Sequence, residues 1–234
     1  MAPSPHPESF VHGVDLTNWH ACWNLALSGR LWSPDFLAQA DPGLAAVHQP
    51  IRNIPIAALR ASGVLQGVST PRAAWYVWAA AWVRHGGRVG MGVEGTQWLP
   101  ADKLDRILRL GDIELEFEEA RRRLLPEGAS RLASLYLADD SDAGRAHVRR
   151  MLGDQVFILR VTVPRAIRIT GVDTNWFDAY WDDPRPEYIE NYWRSRAFDP
   201  AAPTWEYLVD GMVEVGDPEG LAQLREVGAH RLVG

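Results

Sequence analysis

Cysteine is nearly absent. Cys22 stands alone in 234 residues, which excludes an internal disulfide framework and any multi-cysteine metal site but leaves the compartment open. Long hydrophobic runs are also lacking. The most apolar window, 73–83 (AAWYVWAAAWV), is about half the length needed to span a bilayer, and Arg84 and His85 close it, so it predicts a buried helix. The opening Met-Ala-Pro-Ser-Pro-His-Pro has no basic segment followed by an apolar stretch, so no ordinary signal peptide is expected and the chain reads as soluble. There is no basic excess: a formal net charge of −6 argues against a general nucleic-acid binder and leaves room only for a local basic cleft. A Gly-rich phosphate loop of the P-loop or Rossmann kind is missing, as is a Gly-x-Ser-x-Gly elbow. No internal repeat or long linker forces a domain cut.

What is present is ordinary globular composition, 47% hydrophobic and 23% charged, with eleven tryptophans. Rigid aromatic area lines ligand clefts, although core packing is the commoner use of any single Trp. Residues 1–9, rich in Pro and Ser, are expected to be a flexible N-terminus. Residues 10–14 read as a strand, 15–17 as a cap and 18–28 as a helix stopped by Gly29. A loop with Pro34, Pro42 and Gly43 follows. Residues 54–59 and 64–68 fit strand or helix equally. The helix at 73–84 ends at Gly86-Gly87, and 88–93 reads as a strand. Two helices are expected next, 101–110 and 113–125, the second with acids first and arginines last as the helix dipole favours. Pro126-Glu127-Gly128 ends it. Strands are expected at 132–138, 155–163 and 166–170, a helix at 142–152, and a structured loop with a short helix over 175–192. A last strand or hairpin spans 205–215, before a helical tail near Leu221.

Three segments carry chemistry when taken together. Val11-His12-Gly13 precedes a short helix. Ser134-Leu135-Tyr136-Leu137-Ala138-Asp139 leads through Ser141 into a helix with Ala143 and Ala146. Trp205-Glu206-Tyr207-Leu208-Val209-Asp210 comes late in the chain. Alone, His12 reads as an ordinary strand histidine, Tyr136 as a core aromatic, and Glu206 as part of a half-solvated strand. In this order and spacing they resemble the His–Tyr–Glu form of the ADP-ribosyltransferase superfamily, the group of poly-ADP-ribose polymerases and diphtheria-type toxins. The resemblance covers the first 30 residues and 130–215, and leaves 60–125 unmatched.

It implies an α+β class and a single domain over 10–234, with a split antiparallel β core and a mostly helical insertion at 60–125. It also implies NAD⁺ as co-substrate, with no metal. Glu206 would be the fixed anion facing an oxocarbenium-like transition state, as in glycoside hydrolysis. Tyr136 would stack on nicotinamide, and His12 would donate to the adenosine-side ribose. The backbone of Gly13 would approach the carboxamide, since Gly has no Cβ. Ser134 lies in the nicotinamide-pocket motif, while Arg131 and Arg52 are candidates for the pyrophosphate, which a guanidinium fork suits. Tyr192 and Trp193, ahead of the Glu strand, fall where the superfamily contacts its acceptor. Asp139-Asp140 and Asp182-Asp183 have no His or further acid at helpful spacing and read as turn and capping residues.

The chain departs from the pattern at three places. Val14 stands where many members have Ser or Thr. Ser134-Leu135 replaces a common glycine. Thr204 occupies the position of the second acid found in arginine-modifying members, so the implied acceptor is not arginine. Small size and Ala/Arg-rich usage resemble a bacterial toxin or injected effector, delivered by a specialised secretion system or acting in the cytoplasm. The implied activity is mono-ADP-ribosylation of a protein in a host or rival cell, ubiquitin being one acceptor kept open. Three alternatives stay beside it: an NAD⁺ glycohydrolase on the same fold, a non-catalytic module binding a nucleotide or protein through a degenerate cleft, and a nucleic-acid modifier of the same fold, which the negative charge disfavours.

Overall fold

A computed structural model describes residues 7, 9–16, 19–45, 48–63, 71–91, 97–154 and 156–232. Most of the expected flexible N-terminus lies outside these residues. So do Thr17 of the expected cap, the segment 64–68, and the 92–93 end of the expected strand 88–93.

The first part runs β1 (Phe10–Val14), α1 (Trp19–Ser28), β2 (Arg30–Trp32), α2 (Pro34–Ala40), α3 (Pro42–Ala45) and α4 (Ile56–Ser62). Then come α5 (Arg72–Arg84), the short pair β3 (Gly90–Met91) and β4 (Gln97–Trp98), and α6 (Ala101–Leu124). The rest comprises β5 (Leu135–Asp139), α7 (Asp142–Leu152), β6 (Phe157–Asp173), α8 (Asn175–Asp182), α9 (Pro186–Trp193), β7 (Trp205–Val215) and α10 (Pro218–Leu232).

The fold is α+β around an antiparallel five-stranded sheet ordered β2-β7-β5-β1-β6. The long strand β6 pairs β1 through residues 157–161 and β7 through residues 161–173, so the sheet closes back onto β7 and leaves β2 at its edge. One face packs Phe10, Val14, Leu137, Leu159, Tyr207 and Val209 against Leu25 of α1 and Leu224 of α10. The other face packs Val172 and Leu208 against Phe117 of α6, Tyr180 of α8, and Ile189, Tyr192 and Trp193 of α9. A smaller cluster of Val11, Ala138 and Val148 seats α7 on that second face.

Several expectations are corrected. The two helices 101–110 and 113–125 are one helix, α6. Gly111 does not break it, because a Cβ there would lie 2.5 Å from Ala80 Cβ and 2.9 Å from the Tyr76 carbonyl. The glycine is a close-packing site for α5, whose Ala73, Ala74, Val77, Ala80 and Ala81 are buried while Trp82 is exposed. The loop around Pro34 is helical: Ser33 Oγ caps the N–H of Phe36 and Pro34 takes the first helical position, where a missing N–H costs nothing. The expected strands 155–163 and 166–170 are one strand, β6, which starts at Phe157 and has Pro164 within the register irregularity between Thr162 and Arg165; Gln155 lies outside the described residues. Residues 175–192 form two short helices rather than a loop with one.

Candidate functional site

Glu206 and Tyr136 lie on adjacent strands. The β5/β7 register pairs Ala138 with Glu206 and Tyr136 with Leu208. Opposed residues point to one side and successive residues alternate, so Tyr136, Glu206 and Leu208 share the sheet face covered by α6, α8 and α9. Glu206 is only 2% exposed. Its Oε2 lies 3.4 Å from Arg131 Nη1 and its Oε1 lies 3.6 Å from His147 Nε2. Both distances exceed an ordinary hydrogen bond, so the carboxylate is faced by two donors rather than clamped by either.

Arg131, in the turn before β5, organises the cluster. Its Nε and Nη2 donate to Glu114 of α6 at 2.7 and 2.8 Å, a bidentate pair. Its Nη1 also donates to the Tyr192 hydroxyl, and its own carbonyl accepts from the Tyr136 hydroxyl at 2.7 Å. The guanidinium lies 4.3 Å from the Phe177 ring centre. Burial works against the charged guanidinium, but Glu114 and the surrounding hydroxyls outweigh it and hold the group well above the usual arginine value. Burial also pushes the Tyr136 and Tyr192 phenols up, so both remain protonated.

The remaining partners are His147 and Asp178. His147, on α7, is 3% exposed, and its Nδ1 lies 3.2 Å from Arg150 Nη2. Asp178, on α8, has its carboxyl pushed up by desolvation, in the opposing fields of Arg150 and His147. Glu114, His147 and Asp178 escaped the sequence reading. Each sits on a helix with no local motif, and only the packing of α6, α7 and α8 on one face brings them together.

His12 does not join this group. Its register with Leu159 places it on the opposite face, with Phe10 and Val14. Its Nδ1 bonds to the Tyr136 carbonyl at 2.9 Å, so it supports the backbone of β5. Burial lowers its pKa, against the backbone hydrogen bond. The space beside Gly13 is filled by Leu152 and Val148, whose methyls would lie 2.5 and 2.6 Å from an added Cβ. That glycine therefore serves the close approach of α7, not the carboxamide contact expected for it. Tyr192 and Trp193 are core residues rather than an acceptor surface: Tyr192 is fully buried, and Trp193 Nε1 donates to the Phe117 carbonyl at 2.8 Å.

Ser134 and Arg52 belong to another place on the same face. Alternation along β7 sets Asp210 roughly 13 Å from Glu206. Asp210 accepts from Ser33 at 2.8 Å and Arg168 at 3.1 Å, and with Arg52, Arg121 and Ser130 it lines a narrow cleft. Ser134 lies one step beyond the Leu135/Val209 pair, level with Asp210. It is buried, and its hydroxyl has no hydrogen-bond partner among the described residues. A larger surface cleft, between α6 and α8, is lined by Asp105, Arg109, Glu116 and Tyr180 and does not include Glu206.

Among the described residues no group of three or more His, Cys, Asp or Glu is placed to hold a metal ion, and no helix is long and apolar enough to cross a membrane. Comparison with protein-family models finds no match, and no curated protein matches the chain.

Proposed function

We propose that the chain cleaves NAD⁺ at the nicotinamide–ribose bond and transfers ADP-ribose to a protein acceptor, as a mono-ADP-ribosyltransferase. The observation that carries this reading is the pairing of the Tyr136 and Glu206 strands, which places a phenol ring and a buried carboxylate on one sheet face. As the C1′–N1 bond breaks, its electron pair leaves with nicotinamide and C1′ gains oxocarbenium character. Glu206 is the fixed anion opposite that charge. An acceptor nucleophile then bonds to C1′ and gives up its proton.

The residues suit the chemistry of NAD⁺ better than its size. Tyr136 supplies an aromatic face, and Arg131 a cation beside Glu206. Glu206 is buried on the sheet face packed by α6, α8 and α9, so the ribose reaches it only when these helices shift. Thr204, whose hydroxyl accepts from Asn175 at 3.2 Å, brings no second carboxylate, in keeping with an acceptor other than arginine.

The same closure favours a second reading, a non-catalytic module in which Glu206 serves only the buried cluster. Labelled NAD⁺ incubated with the protein and a cell lysate, beside Glu206→Gln, separates the readings. The proposal expects nicotinamide release and a labelled protein, with the rate reduced about a hundredfold or more in the variant. Equal activity in both proteins removes Glu206 from the mechanism. Release without labelling selects a glycohydrolase, and failure to bind NAD⁺ in calorimetry, with the fold intact, selects the non-catalytic module.

A further inference from the structure

Both ring nitrogens of His147 face charged groups, and the arrangement settles which one carries the proton. Arg150 is a donor at every accessible pH, so the Nδ1 atom 3.2 Å from its Nη2 accepts. The proton of the neutral ring then sits on Nε2, the nitrogen 3.6 Å from Glu206 Oε1. Arg131 faces Oε2 at 3.4 Å from the turn before β5. The two carboxylate oxygens thus meet separate donors on separate elements.

We infer that His147 is a positioning residue whose Nε2–H dipole, facing Oε1 while Arg131 faces Oε2, biases the orientation of the Glu206 carboxylate without clamping it. Its bearing on catalysis rests on the NAD⁺ cleavage proposed above. The choice of imidazole has a physical reason. Arg131 is already engaged by Glu114, so its charge is largely spent before it reaches Glu206. A second permanent cation at position 147 would cancel the anion that an oxocarbenium needs, whereas a neutral N–H orients the carboxylate and leaves its charge in place. The groups facing His147 are Glu206 from β7, Arg150 from its own helix and, through longer-range fields, Asp178 from α8.

Nitrogen-15 NMR of the imidazoles in the full chain, at a pH where they are neutral, tests the contact without altering His147. The expected result is the Nε2-protonated tautomer, with resonances that move in Glu206→Gln and stay in place in the surface control Glu214→Gln. An Nδ1-protonated ring, or indifference to Glu206→Gln, overturns the inference. Nicotinamide release tests the consequence. His147→Ala should lower kcat about tenfold or more, as expected for a misplaced reacting group, with the Kd for NAD⁺ unchanged. His147→Gln, which keeps an N–H donor, should recover most of the loss. Unchanged kcat in His147→Ala overturns the positioning role. If the wild type releases no nicotinamide while the spectra show the contact, the NAD⁺ reading falls and the orientation of Glu206 by His147 stands.

Discussion

Glu114 and Glu206 face one guanidinium: Arg131 gives Glu114 two hydrogen bonds, of 2.7 and 2.8 Å, and Glu206 a single contact at 3.4 Å. The unequal division leaves Glu114 as a structural partner and Glu206 as the less committed carboxylate. Removing the shared cation strands two buried acids.

Arg131→Met should therefore lower the unfolding free energy by about 3–5 kcal/mol in urea titrations, the usual cost of breaking a buried ion pair from one side. Arg131→Met combined with Glu114→Leu should recover part of that loss, since the worst uncompensated charge is gone. A single-variant loss below about 1 kcal/mol would mean that the cluster contributes little to the fold.

Gly111 tests whether α6 is one helix because of packing. Gly111→Ala gains about 1 kcal/mol of helix propensity. Its Cβ, however, would sit 2.5 Å from Ala80 Cβ and 2.9 Å from the Tyr76 carbonyl. Overpacking of that kind costs about 1–3 kcal/mol, so the expected sign is destabilising. Ala80→Gly in the same chain should relieve the carbon–carbon clash and restore part of the thermal midpoint. A stabilised single variant would show that α5 and α6 can move apart freely.

The sequence disclosed elements whose limits are set locally. Helix α7 starts at Asp142, after a Ser141 cap, and ends ahead of Gly153 with a positive φ, and β7 fills the expected span from Trp205 to Val215. It misled where a residue has two local meanings. Pro34 opens a helix instead of a loop, Gly111 lies inside one helix instead of between two, and Pro164 falls at a register irregularity within β6 instead of between two strands. The candidate site divides in the same way. Tyr136, Arg131 and Glu206 lie in or beside strands that are neighbours, so their motif order carried over into space. His12 stands apart because a single step of alternation sends its ring to the other face, and nothing within β1 alone reveals which face is which. His147 and Glu114 are brought in by helices whose placement depends on contacts across the whole chain.

Asp210 predicts a pH dependence at the far end of the same face. Desolvation, joined by nearby Asp35, pushes its carboxyl above the ordinary value of 3.8, against the hydrogen bond from Ser33 and the pull of Arg168. A raised folded-state value means that the proton is held more tightly in the folded chain. The stabilisation is complete below 3.8, where both states are protonated, and is lost as pH rises through the folded-state value. Asp210→Asn lacks this loss. Its stability relative to wild type should climb as pH rises from below 3.8 and then level off, as read from denaturant midpoints across the acid range. A flat difference would remove burial as the dominant influence on Asp210.

His12 gives the opposite sign and separates its two suggested roles. Burial lowers its folded-state value below the ordinary 6.5 and outweighs the hydrogen bond to the Tyr136 carbonyl, which favours the charged ring, so the fold prefers the neutral form. Its contribution is complete above 6.5, and it declines as pH falls from there through the folded-state value, because the unfolded chain takes up the proton first. His12→Ala should cost about 1 kcal/mol above pH 6.5 through the lost hydrogen bond, and the deficit should shrink below it. Urea unfolding of wild type and variant on both sides of 6.5 measures this directly. A deficit that did not change with pH would leave the hydrogen bond in place but contradict the buried, neutral ring. A variant as stable as wild type at every pH would remove the structural role and return His12 to the nucleotide contact implied by its motif.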